Sequence, residues 1–211
     1  VSSSHCVAKG IARSQNSLHI CYCHTPMRYI WSQGKSYQSN MGLSGLGLKA
    51  FGGYLRKWDL RSADNVDYFV ANSNTVSDRI REVYNRDSSV VYPPADTDFF
   101  TPADVAREDF YLMVTALAPY KRVDQTIDAF RHLGRKLVII GTGQQMRKLR
   151  RSAPDNVEFL GWRSLEALRD HFRRCRALIF PGEEDFGIVP LEAMSCGSPI
   201  IAYGAGGATE T

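Results

Sequence analysis

From residue 109 onward, short apolar runs alternate with amphipathic stretches, and that rhythm admits few folds. The runs at 110–116, 136–141, 157–160, 176–180 and 199–203 read as strands, and the stretches at 123–133, 144–152, 164–174 and 188–196 read as helices. Strands separated by single helices at this spacing form right-handed βαβ units, so this half must build a parallel sheet with helices on its faces. Such sheets bind ligands beyond the carboxyl ends of their strands. The loops 117–122, 141–144, 161–163, 181–187 and 204–207 are therefore where a site is expected.

The first half is less regular. Residues 18–24 and 66–71 read as buried strands, and Ser73 or Asn74 is placed to cap a helix carrying Val76, Ile80 and Val83 on one face. Residues 41–53 are apolar and Gly-rich, with Lys49, Arg56, Lys57 and Arg61 in and after them. Ordinary helix and loop, or a segment lying on a membrane surface, both fit that composition. Pro93-Pro94 forbids helix, which suggests a boundary: one domain over 1–94, a linker over 95–108 and a second domain over 109–211.

With 211 residues, 44% of them hydrophobic and 23% charged, the chain is of globular type and is neither collagen-like nor disordered. No apolar run reaches the roughly 20 residues of a membrane span, and no stretch reads as a secretory signal. The chain starts at Val1 without Met and stops in "GGATET", which reads as a piece of something longer. The net charge of +4 is uneven, with 11 Lys/Arg against 6 acids over 1–95 and 15 against 16 over 96–211. That bias suits an anionic small molecule or surface, but the cations are scattered, which argues against nucleic acid. The five cysteines show no disulfide framework and read as reduced thiols. The run Cys21-Tyr22-Cys23-His24 lacks further ligands for zinc, and no metal is expected there.

The motif richest in chemistry is "PGEEDFGIVPLEAMSCG". A buried strand ends at Pro181-Gly182, three acids follow, and a helix opens at Ile188 with Pro190 in its first turn. The amides of Phe186, Gly187, Ile188 and Val189 are then free for a phosphate or a polar sugar. Glu192, one turn in, leans back toward the same helix end, where a carboxylate can accept from two vicinal ribose hydroxyls. Equally, Glu183, Glu184 and Asp185 would complement the helix dipole with no ligand at all. In "TALAPYKRVDQ", Lys121 and Arg122 stand at a helix N-terminus, an unfavourable place for cations unless they answer an anion.

Gly141 and Gly143 in "IIGTGQQM" suggest either turn chemistry or a nucleotide contact. Met146 stands where a dinucleotide fingerprint needs its third glycine, so an NAD site is not expected. The "DTD" of Asp96 and Asp98 reads as a turn after Pro94 rather than a metal motif. The "GKS" at 34–36 lacks the glycine of a P-loop, having Tyr29 at that position.

Taken in order, "HTPMRYIW", "VANSNTVSDRI", "VVYPPADTDFF", "PYKRVD", the E-x7-E spacing of Glu184 and Glu192 in "EDFGIVPLE", and "GGATET" resemble family 4 (group 1) of the retaining glycosyltransferases, most of all its lipopolysaccharide mannosyltransferase branch. The resemblance implies an α/β fold of GT-B type, with two Rossmann-like domains that are both incomplete here. It implies transfer of a hexose, mannose by branch, from GDP-mannose to a glycan or lipid-linked acceptor at the cytoplasmic face of a membrane, without a metal cofactor. By the same likeness, Glu184 and the amides of residues 186–188 hold the donor sugar, and Glu192 takes the ribose. Lys121, helped by Arg122, neutralises the diphosphate. Gly161, Trp162 and Arg163 lie where the base binds, and His24 stands near the transferred sugar. Ala116 replaces an arginine common in the family, which shifts the burden to Lys121 and the helix-end amides. Front-face attack is implied, with a diphosphate oxygen taking the acceptor's proton. The rival reading is a non-catalytic nucleotide-sugar-binding fragment or assembly partner.

Overall fold

A computed structural model describes residues 1–14, 16–28, 30–31 and 43–211, with side chains from residue 51 onward in the helix that opens at Leu43. The "GKS" at 34–36 and the start of the 41–53 stretch lie outside the described residues. The chain divides into two compact units, Val1–Pro93 with Glu210, and Pro94–Thr209 with Thr211.

The first unit carries a parallel sheet in the order β1-β2-β3-β4, formed by Ser2–Ser4, Ile20–Cys23, Tyr68–Ala71 and Ser88–Val90. Helix α1 is Leu43–Asp64 and α2 is Asn74–Tyr84. Ser73 caps α2, its hydroxyl accepting from Val76 N at 3.0 Å. Cys21 and Cys23 are fully buried on one face of β2, against Val76 and Ile80. Strand alternation thus puts both thiols into the core and His24 at the strand end. The described part of the Gly-rich stretch belongs to the single helix α1.

Beneath this sheet lies a polar cluster with no signature in the sequence. Lys9, 2% exposed, is paired with Asp59, which is fully buried. Ser62 Oγ takes a second Lys9 hydrogen bond at 2.7 Å, and Trp31 Nε1 and Tyr84 OH donate to Asp59 Oδ2 at 2.7 and 3.0 Å. Every charge there has a partner, the condition under which a buried ion pair is tolerated. Burial, with the Asp59 charge behind it, pushes the Tyr84 hydroxyl far above its usual range.

The second unit is a five-stranded parallel sheet in the order β7-β6-β5-β8-β9. Its strands are β5 Phe110–Val114, β6 Lys136–Ile140, β7 Val157–Gly161, β8 Leu178–Phe180 and β9 Ile200–Ala202. The helices are α3 Val123–Leu133, α4 Met146–Ser152, α5 Leu165–Arg174 and α6 Ile188–Ser195. Side chains alternate across the sheet, as its period of two requires. Leu112, Val138, Ile140 and Leu178 pack with Phe172 of α5 and Ala193 of α6. Met113, Leu137 and Ile139 pack on the other face with Val123, Ile127 and Phe130 of α3. Both faces of a parallel sheet need such cover.

The segment read as a linker belongs to this unit. Phe100 is 3% exposed in its core, and Arg173 Nε donates to Thr101 O at 2.7 Å. Asp96 makes a turn, its carboxylate accepting from Phe99 N at 3.0 Å and its carbonyl from Phe100 N at 2.9 Å.

Candidate functional site

Strand order reverses between β5 and β8, and the helices that follow these two strands go to opposite faces. A crevice opens at the carboxyl ends of strands where this happens. The loops bordering it are those that leave β5 at residue 115 and β8 at residue 181.

The first loop is fastened to its neighbour. Thr115 N donates to Ile140 O at 3.0 Å, Leu117 N to Thr142 O at 2.9 Å, and Gln145 N to Leu117 O at 3.1 Å. A methyl group at Gly141 would lie 1.9 Å from Thr115 O, and one at Gly143 would lie 2.5 Å from Leu117 O. Backbone approach therefore accounts for both glycines. Beyond Leu117 a turn of 3-10 helix, Pro119–Lys121, leads into α3 through Arg122, whose φ of 56° and ψ of 32° are left-handed. A non-glycine residue in that region stores strain, and a cation at a helix N-terminus opposes the dipole. Arg122 carries both costs with its side chain exposed, and among the described residues that side chain makes one hydrogen bond, a long one of 3.4 Å to Gln125.

The second loop is held from the other side. Gly207 N donates to Glu184 O at 2.8 Å, and Glu184 pairs with Gly206 as an isolated parallel bridge. Gly187, at φ 111°, opens α6 with no side-chain cap and no acid in the first turn. Pro190 is buried in that first turn. The positive end of α6 thus meets the crevice with no counter-charge from its own first turn.

The two loops meet through a direct ion pair between Lys121 Nζ and Glu184 Oε1. Their side chains are 18% and 14% exposed. Lys121 also lies over the Tyr120 ring, 5.1 Å from its centroid. Gly182 lies at this junction, where a methyl group would be in ordinary contact with Tyr120 O at 3.4 Å and Glu184 Oε1 at 3.6 Å. Sequence reasoning gave Lys121 and Glu184 separate roles and missed that they meet.

Glu192 is half-buried in α6. Burial pushes its carboxyl pKa up, and the charge of Asp96 adds to that. Phe186 is buried, whereas Ile188 is 41% exposed at the helix start and Val189 is half-buried. Gly161 ends β7 and Trp162 and Arg163 follow it, two strands from β5, so they lie farther along the same sheet edge. Trp162 is 75% exposed, and its carbonyl accepts from Arg163 Nη1 at 2.9 Å. His24 lies in the first unit at the end of β2, sharing a 2.7 Å hydrogen bond with Ser3 Oγ and an edge contact with the Tyr22 ring. Among the described residues no group of three His, Cys, Asp or Glu is placed to hold a metal ion. No helix among them is long and apolar enough to cross a membrane.

The sequence model described as glycosyl transferases group 1 matches residues 95–211. An uncharacterized glycosyltransferase of Methanocaldococcus jannaschii is 29% identical over 152 residues, covering 69% of this chain and 42% of the relative. A GDP-mannose-dependent alpha-(1-6)-phosphatidylinositol monomannoside mannosyltransferase of Mycobacterium tuberculosis is 29% identical over 182 residues, covering 72% of this chain and 47% of the relative. The chain thus spans less than half the length of these relatives. Among solved structures, sucrose-phosphate synthase of Thermosynechococcus elongatus aligns with a TM-score of 0.69 at 17% identity, covering 90% of this chain and 57% of that one. Anabaena Alr3699/HepE in complex with UDP and glucose aligns with a TM-score of 0.62 at 19% identity, covering 90% of this chain and 68% of that one. At these identities the structural likeness speaks for the fold, which is the α/β GT-B type.

Proposed function

Because the chain belongs to the glycosyl transferases group 1 family, we propose that it serves a retaining hexosyltransferase of family 4 and that its second unit binds the nucleotide-sugar donor. The observation that carries this reading is the meeting of Lys121 and Glu184 beside the uncapped start of α6, at the reversal point of the sheet. A cation, a hydroxyl-accepting carboxylate and a helix N-terminus are the three groups that a sugar diphosphate needs.

Transfer requires a diphosphate to leave while positive charge builds on the sugar ring. Groups fixed before the reaction, and aimed where charge grows, lower that barrier most. Lys121, the amides at 186–188 and the exposed Arg122 stabilise the departing diphosphate without a metal ion. Glu184 accepts from the sugar hydroxyls, and Glu192 accepts from the ribose. Trp162 offers a stacking face for the base, flanked by Gly161 and Arg163. A diphosphate oxygen takes the acceptor's proton as the new glycosidic bond forms on the same face.

Mannose and GDP are favoured by the branch resemblance and by the mannosyltransferase among the relatives. A lipid-linked acceptor at the cytoplasmic membrane face is favoured by α1, where Phe51 and Tyr54 are 64% and 67% exposed beside exposed Lys57 and Arg61. Those are the residue types of a helix lying on a membrane surface.

The test is a donor panel of GDP-mannose, UDP-glucose and NAD, assayed for binding on this chain and for transfer on the longest natural protein that contains it. The proposal expects a nucleotide sugar to bind and NAD not to bind. Glu192→Ala should weaken sugar-nucleotide binding, and unchanged binding contradicts the site. Binding by the longest protein without transfer to any acceptor would favour the fragment-or-assembly reading instead.

A further inference from the structure

The Lys121–Glu184 pair raises a question that donor binding alone does not answer. Both side chains are largely buried, and each uses the other's charge. A lysine has three donors and a carboxylate two acceptor oxygens. Among the described residues, Glu184 Oε2 accepts no hydrogen bond, and Lys121 Nζ donates only to Glu184. The loop that carries Lys121 is tied by its backbone to the next one, through Leu117 N to Thr142 O at 2.9 Å and Gln145 N to Leu117 O at 3.1 Å. Glu184 is also held by Gly206 and Gly207 through its backbone. What can change is the side-chain pairing.

We infer that the Lys121–Glu184 pair discriminates the intact nucleotide sugar from the spent nucleoside diphosphate, by exchanging partners with the first and competing with the second. The inference rests on the donor-binding reading above. An intact donor brings a diphosphate diester for Lys121 and, next to it, sugar hydroxyls that donate to Glu184. Both groups lose one partner and gain another. A free nucleoside diphosphate brings the same cation ligand but no hydroxyls for Glu184. Its terminal phosphate has a second ionisation near pH 6, so at pH 7 it carries more negative charge than the diester. That charge would lie beside a carboxylate stripped of its cation in a poorly hydrated crevice, which is costly. Once the sugar has left, Glu184 therefore reclaims Lys121, and the product is released.

The experiment is calorimetric titration of the chain with GDP and GDP-mannose, and with UDP and UDP-glucose, using whichever pair the wild type binds. Glu184→Gln keeps the side-chain shape and removes the competing charge. The expected result is nucleoside diphosphate binding about tenfold tighter than wild type, which corresponds to about 1.4 kcal/mol. Nucleotide-sugar binding should be weaker, because the charged acceptor for the sugar hydroxyls is gone, so the preference for donor over product narrows. Glu184→Ser should shift product binding in the same direction, which keeps the test open if the glutamine variant does not fold. Combining Glu184→Gln with Lys121→Met should abolish the gain, because the competition acts through that amine. Diphosphate binding that is equal or weaker in the folded Glu184 variants overturns the exchange while leaving the donor site standing. A wild type that binds none of the four nucleotides overturns the donor site, and the exchange with it.

Discussion

Gly207 donates its amide to the Glu184 carbonyl at 2.8 Å, and a methyl group on Gly207 would lie 2.2 Å from Asp185 O. The segment that follows β9 is thus a brace for the loop that presents Glu184. The contact leaves no space for a side chain. Gly207→Ala should cost about 1–3 kcal/mol of stability, in the range of overpacked sites. It should also weaken nucleotide-sugar binding by moving Glu184. Thermal unfolding and calorimetry on the same samples check both, and an affinity that survives would show that the brace is dispensable.

Arg122 makes an opposite prediction. Its left-handed backbone is one that glycine adopts freely. Arg122→Gly should relieve strain and dipole conflict, raising stability by up to about 1 kcal/mol. Diphosphate affinity should fall at the same time. A variant that is both more stable and an equally good binder would show that the strain serves no ligand.

Lys121→Ala should reduce transfer by the longest natural protein about 10²–10³-fold, the scale for losing one preorganised stabiliser of developing charge. The loss should fall on kcat more than on KM, since Lys121 matters most when the diphosphate departs. Steady-state kinetics separate the two.

Glu192 gives a pH signature. Burial first, and Asp96 second, raise its pKa above that of an ordinary glutamate. Ribose hydroxyls donate to the carboxylate, so binding is complete above that raised pKa and is lost as pH falls through it. Nucleotide affinity should therefore begin to drop at a higher pH than a free glutamate would give. Asp96→Asn removes the repelling charge and should shift the drop to lower pH, whereas Glu192→Gln should flatten it. Calorimetry across the acid range reads this directly.

In the first unit, Lys9→Met should cost about 3–5 kcal/mol, because it leaves buried Asp59 without its cation. Chemical denaturation measures this, and a small effect would show that Trp31, Tyr84 and Ser62 carry Asp59 by themselves.

The second unit was largely legible in its sequence because its strands are continuous apolar runs and its helices have one apolar stripe. The helix read at 123–133 lies where Val123–Leu133 is found, and the runs at 110–116 and 136–141 contain β5 and β6. Strand ends differed by one or two residues: β5 stops at Val114 where the run was read to Ala116, and β7 reaches Gly161 where it was read to Leu160. β1 was invisible, because three serines carry no hydrophobic signal and are recruited by pairing with Cys21, Tyr22 and Cys23. Phe99 and Phe100 marked the supposed linker as core, yet the proline pair just before them dominated the reading. At the site, the residue types of Lys121, Glu184 and Glu192 were readable from motif and helix phase. The contact between Lys121 and Glu184 was not, because it joins loops 63 residues apart that only the sheet order brings together. The effect of Asp96 on Glu192 and the buried pairing of Lys9 were missed for a similar reason, since tertiary packing alone brings these groups together.

The most direct measurement is a crystal structure of this chain with an intact nucleotide sugar. The account predicts the diphosphate on Lys121 Nζ at the start of α6, sugar hydroxyls on Glu184 and the ribose on Glu192, with the Lys121–Glu184 pair broken. A nucleotide sugar bound elsewhere, or bound with that pair intact and neither residue touching it, would contradict the account.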